Sequence, residues 1–150
     1  MLLIVFFSCY SKAHTHTSKK RDCLNGGFVC IENKDGSKIL IVNSKEYPAV
    51  SYYESVSIVG VDASNFQVIN DYDYSSPVTI YSYFTIKNKI VYLKSIQTLS
   101  FPNTLPRGVR KECKAYINSI YNKPLEYYID GTVFLEDKKL EKKICAIKKN

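Results

Sequence analysis

Three tyrosines and two lysines fall on one side of a hairpin written into residues 78–99. The segments "PVTIYSYFTI" and "IVYLKSIQTL" are rich in β-branched and aromatic residues, and only Lys87, Asn88 and Lys89 separate them. Side chains alternate across a strand, so Ile80, Phe84 and Ile86, with Val91 and Leu93 of the partner, take one side. Tyr81, Tyr83, Lys87, Tyr92 and Lys94 take the other. Aromatic rings interleaved with ammonium groups hold single-stranded nucleic acid by stacking on its bases and attracting its phosphates. The plain alternative is cross-strand tyrosine packing under a loop or helix.

Other groups capable of chemistry are sparse. Asp35, Glu54 and Asp62 are acids around which a divergent phosphodiesterase centre would have to be built, since such a reaction needs carboxylates for a hard cation. Asp71 and Asp73 sit in a tyrosine-rich loop and read as solvated. Both histidines, His14 and His16, lie near the start, which argues against a Ser/His/Asp or Cys/His nucleophile and, with no C-x-x-C pair, against structural zinc. If the chain is cleaved after Ala13, His14-Thr15-His16 becomes the new terminus. Its amine, two backbone nitrogens and the His16 ring then form a square-planar nest for Cu(II) or Ni(II). The plain alternative is a polar tail. No glycine loop of the phosphate-cradling kind occurs, and no cofactor is expected.

The start of the chain bears on compartment. Residues 1–13, "MLLIVFFSCYSKA", begin with an apolar run and end in small residues suited to a signal peptidase, so an export signal is expected. The run is too short to span a bilayer, which takes about 20 apolar residues. A second reading of "VFFSC" is a lipoprotein signal that leaves Cys9 as a lipid-anchored N-terminus. Residues 14–21, "HTHTSKKR", form a basic tail, and residues 22–150 a single β-rich domain. Cys23, Cys30, Cys113 and Cys145 then remain, an even number in an oxidising compartment, and two disulfides are expected. Four cysteines allow three connectivities. A Gly26-Gly27 turn in "CLNGGFVC" would set Cys23 opposite Cys30, which favours that pair and, by elimination, Cys113 with Cys145. The formal net charge of +7 favours anionic partners such as nucleic acid, phospholipid heads, acidic glycans or an acidic protein, and serves general solubility equally well.

The remaining elements follow from pattern. Residues 28–99 read mostly as strands, including "KILIV" after the Asp35-Gly36 turn, "AVSYYESVSIVGV" and "FQVI", with residues 70–77 as a loop. Beyond Pro106, the residues Val109, Cys113, Tyr116, Ile117, Ile120 and Tyr121 recur at helical spacing, and Pro124 stops the run. "LEYYI" and "TVFLED" read as strands around Asp130-Gly131. Leu140, Ile144 and Ile147 mark a second helix.

From Ile80 to Cys145 the sequence resembles the thermonuclease family, the staphylococcal-nuclease-like domains. "IVYLKSIQTLSFP" is similar to its V-R-L-x-G-I-D-x-P-E strand, "PRGVRKECKAYINSIYNKPLEYYIDG" to its helix and following strand, and "VFLEDKKLEKKIC" to its closing segment. The resemblance implies an α+β, β-rich chain: an OB-fold-like small barrel followed by two C-terminal helices, here disulfide-bonded. It also implies that the catalytic groups are missing. The family's metal-binding Asp falls on Phe84, with Thr85 and Ile86 retained after it, its arginine on Tyr92, its second Asp on Gln97 and its water-activating Glu on Ser100. A rival placement, on residues 35–42 and 56–65, keeps Asp35 and Asp62 but sets Ser37, Ser57 and Asn65 at the other site positions. The function implied is an exported, non-catalytic binding protein that engages an anionic or protein partner. The alternatives are a secreted nuclease or phosphodiesterase, or a lipid-anchored inhibitor or immunity-type protein.

Overall fold

A computed structural model describes residues 21–53, 55–73, 75–129 and 144–149. Strands β1 (Arg21–Leu24), β2 (Val29–Lys34), β3 (Ser37–Val42) and β4 (Lys45–Ser51) make sheet I, in the order β1-β2-β3-β4. Sheet II holds β5 (Val56–Gly60), β6 (Asn65–Tyr72), β7 (Val78–Lys87), β8 (Ile90–Ser100), β9 (Val109–Ile120) and β10 (Cys145–Lys149), in the order β10-β9-β8-β7-β6-β5. Every neighbouring pair is antiparallel. Helix α1 (Leu125–Ile129) is the only α-helical element among the described residues.

Tight turns set these meanders. Asp35 and Gly36 (φ 51° and 80°) join β2 to β3, Asn43 and Ser44 (49° and 64°) join β3 to β4, and Asn88 and Lys89 (50° and 63°) join β7 to β8. Two successive left-handed residues match the twist of the flanking strands, which is why Asn, Asp and Gly gather at such corners. Asp62 organises the β5–β6 corner. Its Oδ1 accepts from the backbone N–H groups of Ser64 (2.8 Å) and Asn65 (2.9 Å), and its Oδ2 accepts from Asn65 Nδ2 (2.6 Å). These donors, Ser64 first, hold its carboxyl below the usual range.

Alternation along the strands sends one face of each sheet into a shared core. Val29, Leu40 and Val50 of sheet I meet Phe66, Val68, Phe84, Leu93 and Ile96 of sheet II in one cluster. Each such side chain contributes about 1.5 to 3 kcal/mol on burial. Phe66 and Phe84, register partners on β6 and β7, stack at 5.1 Å, and Tyr121 meets Phe84 edge-on at the same distance. Leu24 of β1 packs within 3.9 Å of where a side chain at Gly60 of β5 would begin, so the two sheets approach closely there.

Both disulfides expected from the cysteine pattern are present. Cys23 and Cys30 are register partners on β1 and β2, and Cys113 and Cys145 on β9 and β10. The β-rich class holds as well.

Three expectations about the C-terminal half are corrected. The helix expected over residues 109–121 is strand β9, so the stretch that the resemblance sets on the family's helix is extended. Of the second helix, Leu140 lies outside the described residues and Ile147 falls in strand β10 (Cys145–Lys149), and "LEYYI" is helix α1 instead of a strand. The two sheets stay open and do not close into a small barrel. The cause of the first correction is a competing period. From Cys113 onward burial alternates strictly, with Cys113 and Ala115 inside and Lys114 and Tyr116 outside. Pairing from Tyr92 with Ile120 to Ser100 with Lys111 covers the edge that β8 would otherwise expose, and an uncovered edge leaves a row of unsatisfied backbone groups. In α1, Tyr127 N–H bonds back to the Pro124 carbonyl (3.0 Å), and a turn begun by proline favours helix over strand. The loop expected over residues 70–77 is also shorter, because β6 continues to Tyr72 opposite Val78. The export segment, Cys9, His14, His16, Glu54 and "TVFLED" lie outside the described residues, and β1 begins at Arg21, the last residue of the expected tail.

Candidate functional site

The outward face of sheet II carries the residues singled out in the hairpin. Ile80, Phe84, Val91 and Leu93 are buried on the core side. Tyr81, Tyr83, Tyr92 and Lys94 are half-buried on the opposite side, and Lys87 is exposed at the end of β7 beside the turn. The placement expected from alternation is therefore the one observed.

A bulge makes this possible on β8. Phe84 pairs with Leu93 and Tyr83 with Ser95, which leaves Lys94 without a partner on β7. The extra residue lets Tyr92, Lys94 and Ser95 share the outer side while Leu93 and Ile96 stay in the core. Lys94 Nζ donates to Asn118 Oδ1 of β9 (3.1 Å), and Asn118 itself sits at φ 50° opposite the irregularity. Lys94 is thus fixed in place across the strands.

Strand β9 brings two residues that the sequence reading assigned to a helix. Ser95 pairs with Tyr116, so Tyr83, Ser95 and Tyr116 form one row across β7, β8 and β9. Lys114 follows in the next row opposite Gln97, and its ammonium lies over two rings, 5.7 Å from the centroid of Tyr83 and 5.3 Å from that of Tyr116. Tyr116 is 80% exposed, the most exposed large apolar side chain among the described residues. The signal that would have found these two was the alternation Arg110, Glu112, Lys114, Tyr116, all on one side of a strand.

Beside this row the charges are paired. Glu112 Oε1 accepts from Arg110 Nε (2.9 Å) and its Oε2 contacts Lys148 Nζ of β10. Lys148 first, then Arg110, holds the Glu112 carboxyl below the usual range. Gln97, Glu112, Lys114 and Lys148 line a shallow cleft next to the aromatic row. Lys94 and Lys114 have no carboxylate partner among the described residues.

Charge is also sorted across the sheet. Between Glu46 and Ile86 the sequence has no Lys or Arg. Strands β5 and β6 therefore carry no cation, and β8, β9 and β10 carry Lys94, Arg110, Lys111, Lys114, Lys148 and Lys149. The aromatic row lies toward the basic side.

The acids considered for a hydrolytic centre have structural surroundings. Asp35 is the first residue of a hairpin turn and Asp62 is saturated by its own corner. Among the described residues no three His, Cys, Asp or Glu side chains come together as a metal-holding group, and no helix is long and apolar enough to cross a membrane. Comparison with protein-family models, with curated proteins and with solved structures finds no match to this chain.

Proposed function

We propose that this is an exported, non-catalytic binding protein that holds a polyanion on the outer face of sheet II, over β7, β8 and β9. The observation that carries this reading is the Lys114 ammonium set over the rings of Tyr83 and Tyr116 on an open face. A cation without a carboxylate partner attracts phosphate or sulfate, and exposed rings add contact area that survives high salt. The sorted charge supports the same half of the sheet, because β5 and β6 offer an anionic chain no cation. From the OB-like expectation the reading keeps the use of a sheet face as the platform. The idea of a nuclease-like scaffold without its catalytic groups rests on the sequence resemblance, and export rests on the leader pattern together with two disulfides.

Affinity for a single-stranded oligonucleotide, measured over a range of salt, tests the assignment. Lys114→Ala should flatten the salt dependence by about one released counterion. Tyr116→Ala should weaken binding at every salt concentration, by roughly 1 to 3 kcal/mol if a base stacks there. If neither variant departs from the parent protein, the face is not the binding surface.

A further inference from the structure

Residues 101–108, "FPNTLPRG", cross from β8 to β9 at the end of sheet II away from the Asn88-Lys89 turn, and they form a second concavity that the reading above does not use. Pro77, Phe101, Pro102, Leu105, Pro106 and Arg107 line it. The loop is stitched to itself and to its neighbour: Phe101 N–H donates to the Pro77 carbonyl (3.1 Å), Leu105 to Pro102 (3.0 Å) and Val109 to Pro106 (3.1 Å). Gly108, at φ 77°, takes the third position of that last turn, where a left-handed residue is needed. Three prolines fix their own backbone angles, so the walls are set before any ligand arrives.

The walls combine hydrocarbon with two polar side chains, Asn103 and Arg107. Phe101, Leu105 and the proline rings offer hydrocarbon, and Phe101 is 37% exposed. Prolines have no N–H, so the three proline positions add no donors of their own. Arg107 is exposed and has no carboxylate partner among the described residues, so it is the cation available at this concavity. A guanidinium presents a rigid fork of donors that matches a carboxylate.

We infer that this concavity binds a small amphiphilic carboxylate, an aliphatic or aryl acid whose hydrocarbon part lies against Phe101, Leu105 and the prolines while its carboxylate pairs with Arg107. Charge complementarity selects the acid, and the hydrocarbon of Phe101, Leu105 and the prolines accommodates its body. The site is independent of the polyanion face.

Amide chemical shifts of the full-length protein, followed on titration with decanoate, test it. Decanoate should perturb Phe101, Asn103, Leu105, Arg107 and Gly108 and leave Tyr83 and Tyr116 unmoved. Its methyl ester and Arg107→Gln should each weaken binding by about tenfold, the range of a hydrogen bond to a charged group. Arg107 is exposed, so the variant should melt with the parent protein. Leu105→Asp provides a second block, through repulsion of the carboxylate. Equal binding of acid and ester, or no response to decanoate, overturns the inference. A response only to a peptide with a free C-terminal carboxylate also overturns it and assigns the pocket to chain ends.

Discussion

The hydroxyl of Tyr121, one residue beyond β9, donates a 2.6 Å hydrogen bond to the carbonyl oxygen of Ala49 in β4. It joins sheet II to sheet I through the core. Burial pushes the Tyr121 phenol well above its ordinary value, so it stays a donor at every pH the fold survives. Tyr121→Phe keeps the ring against Phe84 and leaves the carbonyl without this partner. The variant should lose about 1 to 3 kcal/mol, read as a lower urea midpoint with an unchanged slope. Oligonucleotide affinity should be unaltered, since Tyr121 faces away from the outer row.

Two carboxylates should give opposite pH signatures. Glu112 is held low by Lys148 and Arg110, so its contribution is present at neutral pH and fades as pH falls below 4.5 through its folded value. Glu126 is raised by burial, and its Oε2 has no hydrogen-bond partner among the described residues. Its contribution is complete at pH below 4.5 and is lost as pH rises through its folded value. Glu112→Gln should therefore be less stable than the parent protein at about pH 7 and equal to it at about pH 2, whereas Glu126→Gln should be more stable at about pH 7 and equal at about pH 4. Urea midpoints across this range check both signs. A Glu126→Gln protein that is weaker at neutral pH would show that the charged form is the stabilised one.

The disulfides close loops of different length, with a sequence separation of 7 from Cys23 to Cys30 and of 32 from Cys113 to Cys145. Loop-closure entropy assigns roughly 2 kcal/mol to the short loop and roughly 4 kcal/mol to the long one. Replacing Cys113 and Cys145 together by serine should lower the melting temperature more than replacing Cys23 and Cys30 together. The reverse order would mean that local geometry outweighs chain entropy in this fold.

The hairpin of β7 and β8 was legible because two unmistakable period-2 runs flank a short polar turn, and the inward and outward sets followed from parity. The cysteine pairs were legible for a related reason, since a glycine turn makes Cys23 and Cys30 neighbours before any long-range contact forms. Strand β9 was not. Its apolar residues satisfy helical spacing as well as alternation, and Lys111 interrupts the inward series where it would have betrayed the strand. What decides between the two periods is the open edge of β8, which no local window contains. The same error hid Lys114 and Tyr116, because a helix would have placed Tyr116 in the core. The bulge at Lys94 was invisible too, as a register shift depends on both neighbours at once.

The sorting of charge along sheet II gives that sheet an electric asymmetry that net charge alone does not convey. A freely tumbling protein in the field of a polyanion turns its β8–β10 side forward before contact, so that encounters arrive already aimed at the aromatic row. Attraction and orientation are then one event. On a densely anionic surface the same asymmetry turns β8, β9 and β10 inward and leaves the cation-free strands β5 and β6 facing outward.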